Sequence, residues 1–159
     1  MRIFALVLVF LSLPYHKHFS FLYASSNDPV QYTNWAMNSF TDAPDNSDNS
    51  EDCAIIKGSK WDEICCDTGN VAKVVCEELP RANCDTDDPN YHIIEGRCVF
   101  ISSTKATYLL AQEDCIEKGG RLFEPKNEAS NLRIYQEAVA TGVGIPYWIG
   151  INARESPGK

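Results

Sequence analysis

The chain has 159 residues, 44% of them hydrophobic and 11% aromatic, a composition that excludes disorder and suits one globular domain around a single core. Its formal charge of −8 excludes a nucleic-acid-binding surface, which needs clustered Lys and Arg, and suits cationic partners better. All seven cysteines fall between Cys53 and Cys115, a density expected of disulfides in an oxidising compartment; zinc is the poorer reading, because the close pair Cys65-Cys66 is adjacent and chelates one tetrahedral ion badly.

Residues 1–18 read as a candidate signal peptide, with Met1-Arg2 ahead of the apolar run Ile3 to Leu13. That run is too short to span a bilayer, and no transmembrane segment occurs elsewhere. Small residues suited to cleavage come only at Ala24-Ser25-Ser26, so a mispredicted exon or a stretch of core is the alternative.

Residues 19 to 36 alternate bulky and small side chains, break at Asn27-Asp28-Pro29 and resume at Val30 and Tyr32, which predicts two short strands around a turn. Residues 37 to 52 form a long polar loop with Phe40 as its one large apolar side chain besides Met37. Cys53 to Ile56 reads as a buried strand, Gly58-Ser59 as a turn and Val71 to Glu77 as a further strand. His92-Ile-Ile94 and Cys98 to Ile101 flank Glu95-Gly96-Arg97 as a hairpin would.

Helical periodicity covers 105 to 118, where Tyr108, Ala111 and Cys115 fall at i, i+3 and i+7 before Gly119-Gly120. A second helix is predicted from an Asn127 cap to about Thr141, with Leu132, Tyr135 and Val139 on its inner face. Pro146 to Ile151 reads as a buried strand.

These residues resemble the C-type lectin-like domain. The resemblance rests on Trp148-Ile-Gly-Ile151, Tyr108-x-x-Ala111-x-x-x-Cys115, Asn34-Trp35, Glu51-Asp52-Cys53, Trp61-x-x-x-x-Cys66 and Cys76-Glu77, and it covers nearly all of residues 20 to 159. It implies an α+β fold of two helices, small antiparallel sheets and a long loop, stapled by disulfides. The order is unusual: the C-terminal, long-loop half of the family domain (19–77) comes first, then a linker (78–83), then the N-terminal, two-helix half (84–159). Two readings fit this order. The chain is a piece of a tandem-domain protein, or it is a circular permutant whose halves build one domain.

The resemblance also implies pairings Cys53–Cys66, Cys84–Cys98 and Cys76–Cys115, with Cys65 left over as a free thiol or an intermolecular link, or replacing Cys66 in the loop bridge. It directs attention to the loop, where Asp42, Asp45, Asp48, Glu51, Asp52, Asp62, Glu63 and Asp67 face only Lys57 and Lys60. Such oxygen-rich loops suit Ca²⁺; a merely solvated acidic loop is the plainer reading. Sugar-binding family members hold one calcium, which coordinates two sugar hydroxyls, through a triplet containing proline, a Glu before the loop cysteine and an acidic pair after a Trp. Here those positions are Ala43-Pro44-Asp45, Glu51 and Asp62-Glu63, so Asp45, Glu51, Asp62 and Glu63 are the implied calcium and carbohydrate ligands. Pro44 is a cis-proline candidate. Ala43 departs from the pattern by removing an oxygen ligand, and extra residues ahead of it leave room for Asp42 to substitute.

The implied function is secreted, extracellular recognition of glycans or glycoproteins. The alternative is a calcium-independent module for protein ligands or matrix. Enzymatic chemistry is not expected: His16, His18 and His92 sit in no nucleophile motif, and carboxylate pairs for glycoside hydrolysis are available in any acidic loop.

Overall fold

The computed structural model describes residues 20–37, 43–45, 50–69, 71–140 and 146–153. The candidate signal stretch, Phe40, Asp42, Asp48 and the end of the second predicted helix at Thr141 lie outside them. In chain order the elements are β1 (Leu22–Tyr23), β2 (Cys53–Lys57), β3 (Lys60–Ile64), β4 (Ala72–Leu79), a 3-10 turn (Arg81–Asn83), β5 (Tyr91–Ile94), β6 (Arg97–Ala106), α1 (Tyr108–Glu117), β7 (Arg121–Leu122), α2 (Glu128–Ala140) and β8 (Tyr147–Asn152).

The strands join in one mixed sheet, ordered β3-β2-β8-β4-β6-β5, with β1 on β8 and β7 on β4. Most pairs are antiparallel; β4 meets β8 in parallel at Lys73 and Tyr147. Strands from residues 19–77 alternate with strands from residues 84–159, so neither half closes its own sheet. Alternation along each strand sends neighbours to opposite faces. Val75 and Ile149 enter one core with Ile56, Trp61 and Ile134 of α2, whereas Val74 and Trp148 enter the other with Tyr108, Ala111 and Cys115 of α1.

Bridges link Cys53–Cys66, Cys76–Cys115 and Cys84–Cys98, and Cys65 is a free thiol. Cys76 on β4 and Cys115 on α1 have Cα atoms 5.2 Å apart, which ties the two halves covalently.

Local chemistry accounts for the element boundaries. Glu95 and Gly96 both take positive φ (53° and 77°), the twist a two-residue hairpin turn needs between β5 and β6. Strand β6 continues to Ala106, so α1 starts later than its periodicity alone predicts. Thr107 caps it by accepting a hydrogen bond from the Leu110 N–H at 3.3 Å. Asn127 caps α2 in the same way, its Oδ1 accepting from Ser130 N–H at 2.8 Å.

Two expectations change. The segment after Asn27 does not resume as a strand. Pro29 makes an isolated bridge to Leu22, and Val30, Tyr32 and Trp35 serve as packing residues against the core. Helix α2 buries Asn131, Ile134 and Ala138, leaving Leu132 and Val139 exposed, so its inner face is rotated from the one predicted. The cause is a polar anchor. Trp61 Nε1 donates to Asn131 Oδ1 at 2.7 Å, and Asn131 Nδ2 donates to the Ser59 carbonyl at 3.1 Å.

Candidate functional site

The acidic loop is built on β3, a strand not anticipated from its sequence Lys-Trp-Asp-Glu-Ile. Gly58, at φ 72°, turns β2 back into β3, and Ala54 pairs with Glu63. Trp61 and Glu63 point inward on β3, Glu63 being 7% exposed, while Asp62 between them points to the other face. The two members of the acidic pair are therefore separated by strand alternation. Asp62 Oδ2 lies 3.5 Å from Lys57 Nζ on the neighbouring strand.

Residues 34–36 run alongside β3. Trp61 N–H donates to the Asn34 carbonyl at 2.9 Å, and Ala36 N–H donates to the Trp61 carbonyl at 2.8 Å. Ala43 N–H donates to the Ala36 carbonyl at 3.1 Å, which holds this part of the long loop beside residues 34–36. The Ala43–Pro44 peptide is cis. Asp45 N–H then donates to Glu63 Oε1, which fixes Asp45 beside the buried carboxylate. Glu51 enters from the residues just ahead of β2.

One carboxylate oxygen from each of Asp45, Glu51 and Glu63 lies within 4.8 Å of the others. Oxygens held by one Ca²⁺ at about 2.3–2.6 Å are at most about 5 Å apart, so this spacing fits a shared hard cation. Three formal negative charges at that separation, one of them on a buried residue, favour a cation among them. The loop's lysines are directed elsewhere, Lys57 to Asp62 and Lys60 Nζ to Asn34 Oδ1 at 2.6 Å. Of the four residues implied as ligands, three converge and Asp62 does not. Ala43 contributes no side-chain oxygen, and Asp42 lies outside the described residues.

A second charged cluster, not singled out from the sequence, joins the halves on the far side of β4. Between Cys76 and Leu79 the β4–β6 register shifts, and Glu78 takes φ 58° in this bulge. Arg121 on β7 then bridges both bulge carboxylates: Nε donates to Glu77 Oε1 at 3.1 Å and Nη2 to Glu78 Oε1 at 2.7 Å. Glu124, 1% exposed, accepts from Ser25 N–H at 2.8 Å, from the Ser25 hydroxyl at 2.9 Å and from Lys126 Nζ at 2.8 Å. Burial pushes the Glu77 carboxyl above its ordinary value of 4.5, and the Arg121 guanidinium only partly opposes this. The signal for this cluster was weak, since Glu77, Arg121 and Glu124 meet only through β4–β7 pairing.

No family profile matches the chain, and no solved structure matches it. Among curated proteins, it is 38% identical over 68 residues to C-type lectin domain family 3 member A of Mus musculus, a match covering 42% of this chain and 34% of the mouse protein. It is 35% identical over 68 residues to the tetranectin-like protein of Carcharhinus perezii, covering 42% of this chain and 40% of that protein. The match thus spans 34% to 40% of the length of these relatives.

Proposed function

We propose that this chain, which carries a C-type lectin-like α+β fold, is a secreted, extracellular recognition module that binds carbohydrate through a calcium-dependent loop site. The observation that carries this reading is the convergence of Asp45, Glu51 and Glu63 oxygens within 4.8 Å. Those three residues would hold Ca²⁺. The bound ion would supply coordination sites for sugar hydroxyls, while the protein's part is to hold the carboxylates in place before the ion arrives. Glu63 is positioned by β3 and Asp45 by its backbone hydrogen bond to Glu63. Asp62, directed to Lys57 on the other face of β3, stands outside this set.

Ala43 supports a second reading: a calcium-independent protein-interaction or matrix module, because one oxygen that would contact both ion and sugar is missing. Calcium titration by calorimetry, followed by glycan-array binding with and without chelator, separates the two. Chelator-sensitive glycan binding supports the first reading, and chelator-indifferent binding to glycoproteins or proteins supports the second. No catalytic role is assigned.

We also read the chain order as that of a circularly permuted domain, in which residues 19–77 and 84–159 complete one another across the 78–83 linker. The alternation of strands from the two halves and the Cys76–Cys115 bridge support this reading. An intramolecular Cys76–Cys115 peptide found in a monomer by non-reducing digestion tests it; that pair found only between chains would place the halves in different domains.

A further inference from the structure

Helix α1 buries Tyr108, Ala111 and Cys115, while three large apolar side chains on its other side stay in solvent: Leu109 at 57%, Leu110 at 53% and Ile116 at 63% exposure. At 3.6 residues per turn, the outer face runs from Ile116 and Leu109 through Glu113 and Glu117 to Leu110. The two carboxylates thus form a ridge flanked by apolar side chains.

Neither Glu113 nor Glu117 joins an ion pair among the described residues. The cations at this end of the helix are already paired: Lys118 with Asp114, and Arg121 with Glu77 and Glu78. At the Ile116 edge of the helix a cavity of about 300 Å³ opens, with Ala24, Ile116 and Leu122 as its apolar wall and Ser25, Arg121 and Glu124 of the charged cluster at its polar side. That volume is at the lower end for small-molecule sites and suits one inserted apolar side chain.

We propose that the outer face of α1, with this cavity, is a docking surface for a basic amphipathic helix of another protein. An apolar anchor of the partner would enter the cavity beside Ile116, its other apolar residues would cover Leu109, and its Lys or Arg would pair with Glu113 and Glu117. The chain's net charge of −8 steers such a partner toward it. A second copy of this chain fits poorly. An antiparallel α1 pair centred on Glu113 sets Glu113 against its own copy and Leu109 against Glu117.

The test uses an idealised Leu/Lys amphipathic peptide about 18 residues long and a scrambled peptide of the same composition. Binding is read by fluorescence anisotropy in chelator, which removes any contribution from calcium in the acidic loop. The amphipathic peptide should bind and the scrambled one bind at least about tenfold more weakly. Ile116→Glu and the Glu113→Lys/Glu117→Lys pair should each weaken binding about tenfold, with thermal unfolding unchanged because these side chains are exposed. Asp45→Asn/Glu51→Gln should leave it as in the wild type. Equal binding of both peptides, no binding, or undiminished binding by the α1 variants would overturn the proposal. So would a wild-type dimer in sedimentation that Ile116→Glu dissolves, since the face would then belong to a second copy.

Discussion

Trp61 and Asn131 lie 70 residues apart in the chain and 2.7 Å apart at their polar atoms, indole N–H to amide oxygen, in a site where both side chains are buried. The bond joins β3 to α2, hence the loop-bearing half to the helical half. It also explains why α2 turns a polar residue inward: an unpaired indole N–H there would carry a desolvation cost that Asn131 removes.

Replacing Asn131 with Leu should therefore destabilise the fold by about 1–3 kcal/mol, since the Trp61 N–H and the Ser59 carbonyl both lose a partner. Leu132→Ala and Val139→Ala, on the exposed face of α2, should change stability by less than about 0.5 kcal/mol. Urea unfolding of the three variants checks the facing directly. Greater loss from Leu132→Ala than from Asn131→Leu would mean that the helix is rotated.

The Cys76–Cys115 bridge closes 39 residues and connects β4 to α1. Paired serine substitution at the two positions should cost about 2–5 kcal/mol, mainly through the entropy regained by the unfolded chain. Thermal unfolding at matched protein concentration measures it. An unchanged midpoint would show that the halves are held by packing alone.

In the acidic loop, Asp45→Asn and Glu63→Gln should each weaken calcium binding at least about tenfold, whereas Asp62→Asn should alter it by no more than about twofold. Asp45 is exposed, so its substitution leaves the fold intact and isolates the effect on the ion. Calorimetric titration of the three variants reads the difference. Equal losses at Asp62 and Glu63 would place both carboxylates at the ion, against their opposite facing on β3.

Glu77 predicts a pH effect. Its carboxyl titrates above the ordinary value because burial disfavours its charge, so the folded state binds this proton more tightly than the unfolded chain does. The resulting stability is fully present below the unfolded value of 4.5 and is lost as pH rises through the folded one. Glu77→Gln should flatten that part of the stability profile, as seen in urea midpoints collected across mildly acidic pH. A variant profile parallel to the wild type would assign the dependence to other groups.

Gly150 on β8 is hemmed in: a Cβ there would meet Glu124 Cγ at 2.9 Å and the Leu122 carbonyl at 3.0 Å. Gly150→Ala should accordingly cost about 1–3 kcal/mol through forced displacement of β7. Thermal unfolding reports it, and a neutral effect would mean that β7 yields without cost.

Much of the architecture is legible in the chain. The Tyr108, Ala111 and Cys115 face of α1 follows from helical period, and the β5–β6 turn follows from Gly96 between two apolar runs. Strand β3 escapes notice because Lys60, Asp62 and Glu63 mask its alternation, and only pairing with β2 and the buried Trp61 make it a strand. Likewise α2 is read one face off, because periodicity counts apolar residues and its anchor is an asparagine. At the site, proximity in sequence suggests Asp62 and Glu63 as partners, yet strand geometry parts them and brings Asp45 to Glu63 from 18 residues away.

By itself the sequence determines the elements whose signals are local: capped helices, a hairpin turn, a disulfide-rich chain and an acidic loop with eight carboxylates. Tertiary structure decides which of those residues meet. Strands from the two halves alternate in one sheet because each half leaves apolar faces that only the other covers. That shared sheet selects Asp45, Glu51 and Glu63 from the acidic loop and turns Asp62 away. It also leaves one face of α1 in solvent with its leucines and glutamates outward, a choice no local period could make.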